Sequence, residues 1–333
     1  MDTIWKQAKR WLPGLLISVV ALFILFRAID FDDVVTAMQL IKVNFLIIAV
    51  VLTILSLFFK ALTWRSILNL DVDLVETFFI ICQGYLLNNV LPLKMGEIGR
   101  AVLMNHKTGK GVMYMFSSIV IERAIDVGFA AGLVLSTLPL TTQVESAKSI
   151  ASVALLAVLV GFVALFFISR FHETIAGWMT KLFQRWAWGQ EAILPRLISF
   201  LDGFQVITNP MQFVKAIFWS ALTWLTWVVI YYFGLRSIAP DAPFWWGAFI
   251  NGLLALGAAV PSAPAGLGVY EASTVGALAI LNVAPSLSLA YAIVMHFIQI
   301  IMTGIFGVIG FMRNKVSIGD LLRYEAQPES KQT

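Results

Sequence analysis

Apolar residues in this chain fall in long unbroken runs and do not alternate with polar ones. Six runs, at about 12–29, 43–64, 112–138, 150–169, 213–239 and 287–312, each approach the roughly 20 residues that a helix needs to cross a bilayer. Two further apolar stretches, 77–92 and 243–262, end at Pro92 and in "PSAPAG". Each is followed by a second helix-compatible stretch, roughly 93–108 and 266–283. Proline and glycine interrupt helices, and interrupted backbone at membrane depth is tolerated only inside protein or against a wet cavity. Each pair therefore reads as a broken helical hairpin. The pattern predicts an all-α polytopic membrane protein, with about six spanning helices plus two broken hairpins, or about eight transmembrane segments. A single transmembrane domain would occupy 1–315, with a cytoplasmic tail at 316–333 whose "YEAQPESKQT" end reads as disordered.

Composition sharpens this picture. The 333 residues are 59% hydrophobic and 13% charged, where a soluble domain carries roughly 25% charged residues. The net charge of +4 fits basic cytoplasmic loops better than nucleic-acid binding. Cys82 is the only cysteine and the three histidines (His106, His172, His296) are scattered, so neither a disulfide framework nor a metal centre is expected, and no cofactor. The basic start and first apolar run resemble a signal peptide. That run is long enough to span, however, and no small-residue cleavage site follows, so a retained helix is expected.

Lysines and arginines in short loops set the orientation. Lys6, Lys9 and Arg10 place the N-terminus in the cytoplasm, and Arg313, Lys315 and Arg323 place the C-terminus there. Lys60, Arg65, Lys94, Lys107 and Lys110 put the first hairpin mouth inside, while the acidic loop at Asp30, Asp32 and Asp33 lies outside. The second hairpin then opens outward. Halves at about 43–138 and 213–312 become an inverted repeat, a common build of secondary transporters. Glu97 precedes Glu122 by as many residues as Glu271 precedes His296. Between the halves, 170–212 holds an amphipathic segment. There Phe171, Ile175, Trp178, Met179, Leu182, Phe183 and Trp186 recur at helical spacing, which predicts a helix on the cytoplasmic surface. Trp5, Trp11, Trp245 and Trp246 read as interfacial anchors.

The costliest segment is "IVIERAIDVGF". A charge at a helix centre costs roughly 2.5–3.5 kcal/mol on insertion scales, and Glu122, Arg123 and Asp126 share one helix face. Arg123 and Asp126 are spaced to pair, which leaves one carboxylate for a second cation, with Arg100 the candidate. Such residues can form a translocation path, a salt-bridge lock between helices, or both. Asn88, Asn89 and Pro92 precede Gly96 and Glu97; Asn251, Pro261, Ser262 and Pro264 precede Gly266, Gly268 and Glu271. Free N–H groups at such hairpin tips attract anions, which suits a phosphate head group. His296 and Gln299 lie one turn apart on the last apolar run, where a satisfied polar contact is favoured over a proton relay for His296. No nucleophile–base pair or phosphate-binding loop is present, so neither an enzyme nor an ATP-driven pump is expected.

"NNVLPLKMGEIGRAVLM", "IERAIDV" and "PSAPAGLGVYEAS" resemble the motif blocks of the lysylphosphatidylglycerol synthase transmembrane-region family, over about residues 10–315. Pro92, Gly96, Glu97 and Arg100 match the first block; Glu122, Arg123 and Asp126 the second; Pro261, Pro264, Gly266, Gly268 and Glu271 the third. In the multiple peptide resistance factor a related region moves aminoacylated phosphatidylglycerol between leaflets, and a separate membrane segment with a soluble catalytic domain attaches the amino acid. No such domain follows here, so the resemblance implies a flippase-like lipid translocase in a prokaryotic inner membrane. Its partner would be a lipid with an anionic or polyprenyl-phosphate head group. Two other readings remain: an ion-coupled carrier of a small anion, or a non-transporting partner of a lipid-modifying enzyme or glycosyltransferase.

Overall fold

The computed structural model describes residues 16–25, 27, 29, 31–41, 43–91, 94–141, 145–184 and 186–314. Among them all regular structure is helical. The sequence favours this outcome, because a helix satisfies its backbone groups internally where lipid offers no partners. The first apolar run gives α1 (Leu16–Leu25); residues 12–15, 26 and 28 of that run lie outside the described residues. The short α2 (Phe31–Met38) follows.

The next four helices are α3 (Val43–Leu68), α4 (Leu74–Val90), α5 (Met95–Thr108) and α6 (Val112–Thr141). Then come α7 (Glu145–Arg170), α8 (His172–Phe183), α9 (Ala187–Ala192) and α10 (Leu194–Asp202). The chain ends in α11 (Pro210–Ile238), α12 (Phe244–Gly257), α13 (Val269–Ile280) and α14 (Pro285–Asn314). Three of these, α3, α11 and α14, are long and apolar enough to cross a membrane; α7 and α8, bent by 74°, make a fourth if the pair is one span. That is fewer than the six expected. Helix α6 has 30 residues, ample length, but its central charged trio sets it apart from the plainly apolar helices. Trp178 and Leu182 on α8 are among the most exposed apolar side chains, and no α8 residue is buried.

Both expected breaks are present. Helix α4 is capped at its start by the Asp73 carboxylate, which accepts from Glu76 N. It ends in extended backbone at Leu91 and gives way to α5, whose Lys94 cap is left-handed with φ 55°. The two arms then touch backbone to backbone: a Cβ on Gly96 would collide with the Gly84 carbonyl and with Asn88. Pro92 lies outside the described residues. The second break, between α12 and α13, runs through a 3-10 turn at Pro264–Gly266, with Ala265, Gly266 and Gly268 all at positive φ.

Helix α3 runs along α11, α4 along α14, and α6 along α12. The first arm of each break thus packs on the long helix beside the other break, α4 on α14 and α12 on α6, while the second arm packs on the helix that follows it, α5 on α6 and α13 on α14. Buried apolar residues of α3, α6, α11, α12, α13 and α14 form the largest core, around Phe249, Ile250, Leu278 and Tyr291. A second core around Trp64, Ile80, Ile81 and Met104 holds the first hairpin against α3 and α6.

Candidate functional site

Three carboxylates and three cations meet where α3, α5 and α6 converge. Glu122 is fully buried and accepts from both ends of the Arg100 guanidinium, 2.7 Å to Nη2 and 3.3 Å to Nη1. Lys60 lies 2.8 Å from Glu122 and 2.7 Å from Asp126. Arg123 reaches Glu97 at 3.2 Å, Glu122 at 3.4 Å and Asp126 at 3.4 Å. Formal charges balance, so the cluster offsets the cost of burying any one member. The expected Arg123–Asp126 and Arg100–Glu122 pairs are both formed.

Neighbouring side chains position these groups. Gly84 leaves room for the Arg100 stem, whose methylenes a Cβ there would strike. The Arg100 guanidinium lies 4.1 Å over the fully buried Trp64 ring. Trp64 in turn donates to Ser118 Oγ at 2.9 Å. Trp224 of α11 donates to Asp126 at 3.1 Å. The members differ sharply in exposure. Lys60, Arg100 and Glu122 side chains are 6%, 4% and 0% exposed, whereas Arg123 is 43% exposed. Arg123 Nε finds no aligned acceptor among the described residues despite its approach to Glu97. The interior is a lock; Arg123 is its open edge.

Lys60, Trp64 and Trp224 were not among the site residues expected from sequence. Lys60 read as a loop charge setting orientation, yet it is buried within α3. A lysine interrupting the apolar run "LFFKALTW" was the available signal.

The second hairpin holds a separate constellation. Glu271 Oε1 is 2.7 Å from His296 Nδ1, and Glu271 Oε2 accepts from Gly268 N at 2.7 Å. His296 Nε2 faces the Ala265 carbonyl at 2.9 Å, and the imidazole stacks on Tyr270 at 4.1 Å. No contact joins Glu271 directly to Glu97, Arg100, Arg123 or Asp126 among the described residues. The hairpin glutamates therefore belong to two networks, not one. The two breaks themselves touch where Lys94 Nζ donates to Ala258 O at 2.6 Å.

The expected N–H groups at the tips are partly taken by the protein itself. Asn88 Oδ1 accepts from Gly96 N at 2.8 Å, and Glu271 takes Gly268 N. Asn89 bonds Thr303 on α14, whose hydroxyl also donates to the Gln299 carbonyl. Asn251 contacts the Trp224 carbonyl at 3.4 Å. Pro261 is exposed and Pro264 and Gly266 half-buried, so they shape the second break without polar contacts to the first network. Elsewhere, a cavity of about 580 Å³ lined by Asp73, Glu76, Lys107, Lys110 and Arg313 sits where α4, α5 and α14 end. No group of three or more His, Cys, Asp or Glu able to hold a metal ion occurs among the described residues.

Long apolar helices enclosing a balanced buried ion cluster define a multi-pass helical membrane protein. Residues 11–307 match the model of the lysylphosphatidylglycerol synthase TM region, and the chain belongs to that family. It is 24% identical over 313 residues to a UPF0104 membrane protein of Methanothermobacter thermautotrophicus, covering 88% of this chain and 92% of that one. A UPF0104 membrane protein of Methanocaldococcus jannaschii is 25% identical over 227 residues, covering 68% of this chain and 92% of the relative. No solved structure matches.

Proposed function

We propose that this protein is a lipid translocase in which a phosphate-bearing head group passes Arg123 while the acyl or isoprenoid tails stay in the bilayer. One observation carries the reading: Arg123 is half-exposed at the edge of an otherwise buried, charge-balanced cluster, and it comes no nearer than 3.2 Å to any of its three carboxylates, where Lys60 and Arg100 each reach 2.7 Å. A phosphate can displace such contacts and take the guanidinium in a two-pronged bond. Glu97, released from Arg123, then faces any cationic part of the head group. Lys60, Arg100 and Glu122 remain as the rigid frame. The chain acts as a carrier without bond-making chemistry, set in a cytoplasmic membrane with both termini inside.

Helix packing supports an inverted repeat as the frame. Exchanging α3 with α11, α4 with α12, α5 with α13 and α6 with α14 turns every neighbouring pair of these helices into another neighbouring pair. Glu97 and Glu271 are each the third residue of the second hairpin arm. Their partners Arg123 and His296 each lie eleven residues beyond the start of α6 and α14. Sequence spacing had suggested Glu122 as the counterpart of His296; the ion pairs favour Arg123.

The test is charge-neutral substitution. Glu97→Gln should abolish movement of labelled lipid in proteoliposomes and leave membrane insertion intact. Unchanged lipid movement overturns the reading, and saturable vesicle uptake of a small anion with no lipid redistribution replaces it by an anion carrier.

A further inference from the structure

The Glu271–His296 pair has a proton count that its surroundings dictate. Ala265 O can only accept, so His296 Nε2 must carry a hydrogen. Glu271 Oε1 faces Nδ1 at 2.7 Å, and one proton must lie between them, whichever atom holds it. The pair thus holds two protons and is neutral, as carboxylate with imidazolium or as carboxyl with imidazole. Both residues are buried, 5% and 4% exposed. Losing one proton to water leaves the pair at −1 and sets two lone pairs face to face, at Glu271 or at Ala265. An unpaired buried acceptor forfeits its hydration with nothing in return.

That contact holds a bent backbone. Ala265 is left-handed at φ 60°, a conformation that crowds the Cβ of any residue but glycine. Gly266 and Gly268 continue at φ 80° and 82°. The pair holds both ends of this bend, His296 through the Ala265 carbonyl and Glu271 through the Gly268 N–H. The same break is bound to α1 through Ala263 N and Ser18 Oγ at 2.8 Å, and to the first hairpin through Lys94 and Ala258.

We infer that the Glu271–His296 pair is a proton-binding site: the bound proton latches the break at 263–268, its release unlatches it, and the proton is the coupling ion of transport. The coupling rests on the translocase reading; the latch does not. Other titratable groups facing the pair are tyrosines: Tyr270 stacked on the imidazole, Tyr231 of α11 reaching the Tyr270 hydroxyl at 3.3 Å, and Tyr291 on the helix of His296. The nearest cation shown on this break is Lys94, on the Ala258 carbonyl and not on the pair. Division of labour follows, with the anion at the first hairpin and the proton at the second.

The experiment places a reporter cysteine at Ser262→Cys in reconstituted full-length protein and follows its labelling by a charged thiol reagent across pH. Native Cys82 is fully buried and supplies the blank. Rates are divided by those of Trp178→Cys, at an exposed site on α8, to remove the intrinsic pH dependence of thiolate chemistry. The expected result is a severalfold rise in relative labelling with pH, absent in His296→Gln and in Glu271→Gln. A flat profile in the otherwise native protein overturns the latch even if neither variant folds, and so does an unchanged rise in folded His296→Gln. Lipid movement is measured on the same preparations. A titrating latch without lipid movement at any pH retains the proton site and removes the translocase. Lipid movement independent of pH removes the coupling alone.

Discussion

Glu122 and Arg123 are adjacent in sequence and in one cluster, yet their neutral variants should behave oppositely. Glu122 has no exposed surface and holds Arg100 and Lys60 at 2.7 and 2.8 Å. Glu122→Gln keeps the shape and removes the charge, leaving Arg100 buried without the carboxylate that neutralises it. Breaking a buried pair on one side costs about 3–5 kcal/mol, because the abandoned charge cannot reach water. Arg123 is 43% exposed and its three contacts are 3.2–3.4 Å long. Glu122 and Asp126 keep Lys60 and Arg100 when Arg123 is lost, so Arg123→Gln should cost much less than Glu122→Gln, about 1 kcal/mol. Unfolding free energies in lipid bicelles, read by steric trapping, give the comparison directly. The expected result is a severely weakened Glu122→Gln and a nearly native Arg123→Gln that no longer moves lipid. If Arg123→Gln costs as much as Glu122→Gln, Arg123 is part of the lock and the division into frame and open edge is wrong. If Glu122→Gln costs under about 1 kcal/mol, the frame itself is misassigned.

Gly96→Ala should destabilise the first hairpin by at least about 1–3 kcal/mol in the same unfolding assay, since its Cβ meets the Gly84 carbonyl and backbone cannot step aside as a side chain does; native-like stability would contradict the close contact. Cys82, buried beneath α14, should stay unreactive toward thiol reagents in the folded protein and react only on unfolding, which mass spectrometry of labelled protein will show. Trp178, 72% exposed on a helix turned 74° from α7, should be quenched by lipids brominated near the head group and less by those brominated deep in the chain. Equal or deeper quenching would place α8 elsewhere.

The apolar runs made helix positions legible, because a span must be both long and continuous. The breaks were legible because proline and glycine mark them, and α4–α5 and α12–α13 fall where those residues predict. Within the site, the Arg123–Asp126 pair followed from helix periodicity and Arg100 from the need for a second cation. Lys60 escaped because positive charges near span ends normally report orientation, and linear spacing cannot tell a loop lysine from one turned inward across α6. Trp64 and Trp224 escaped for a related reason. Tryptophan suits the interface, and only packing shows Trp64 beneath Arg100 and Trp224 bonded to Asp126. The separation of Glu97 from Glu271 was invisible as well. Each glutamate follows a break marked by proline and glycine, so the two look alike in sequence, whereas one meets an arginine and the other a histidine.

The measurement that bears most directly on the account is leaflet redistribution of labelled lipids in proteoliposomes, comparing native protein, Arg123→Gln and Arg123→Lys. The panel spans anionic, aminoacylated and polyprenyl-phosphate lipids. The native protein should move at least one phosphate-bearing class. Arg123→Gln should abolish that movement with the fold intact, and Arg123→Lys should restore part of it through the retained charge. Native rates in folded Arg123→Gln, or no lipid movement by the native protein, would contradict a head-group path at Arg123.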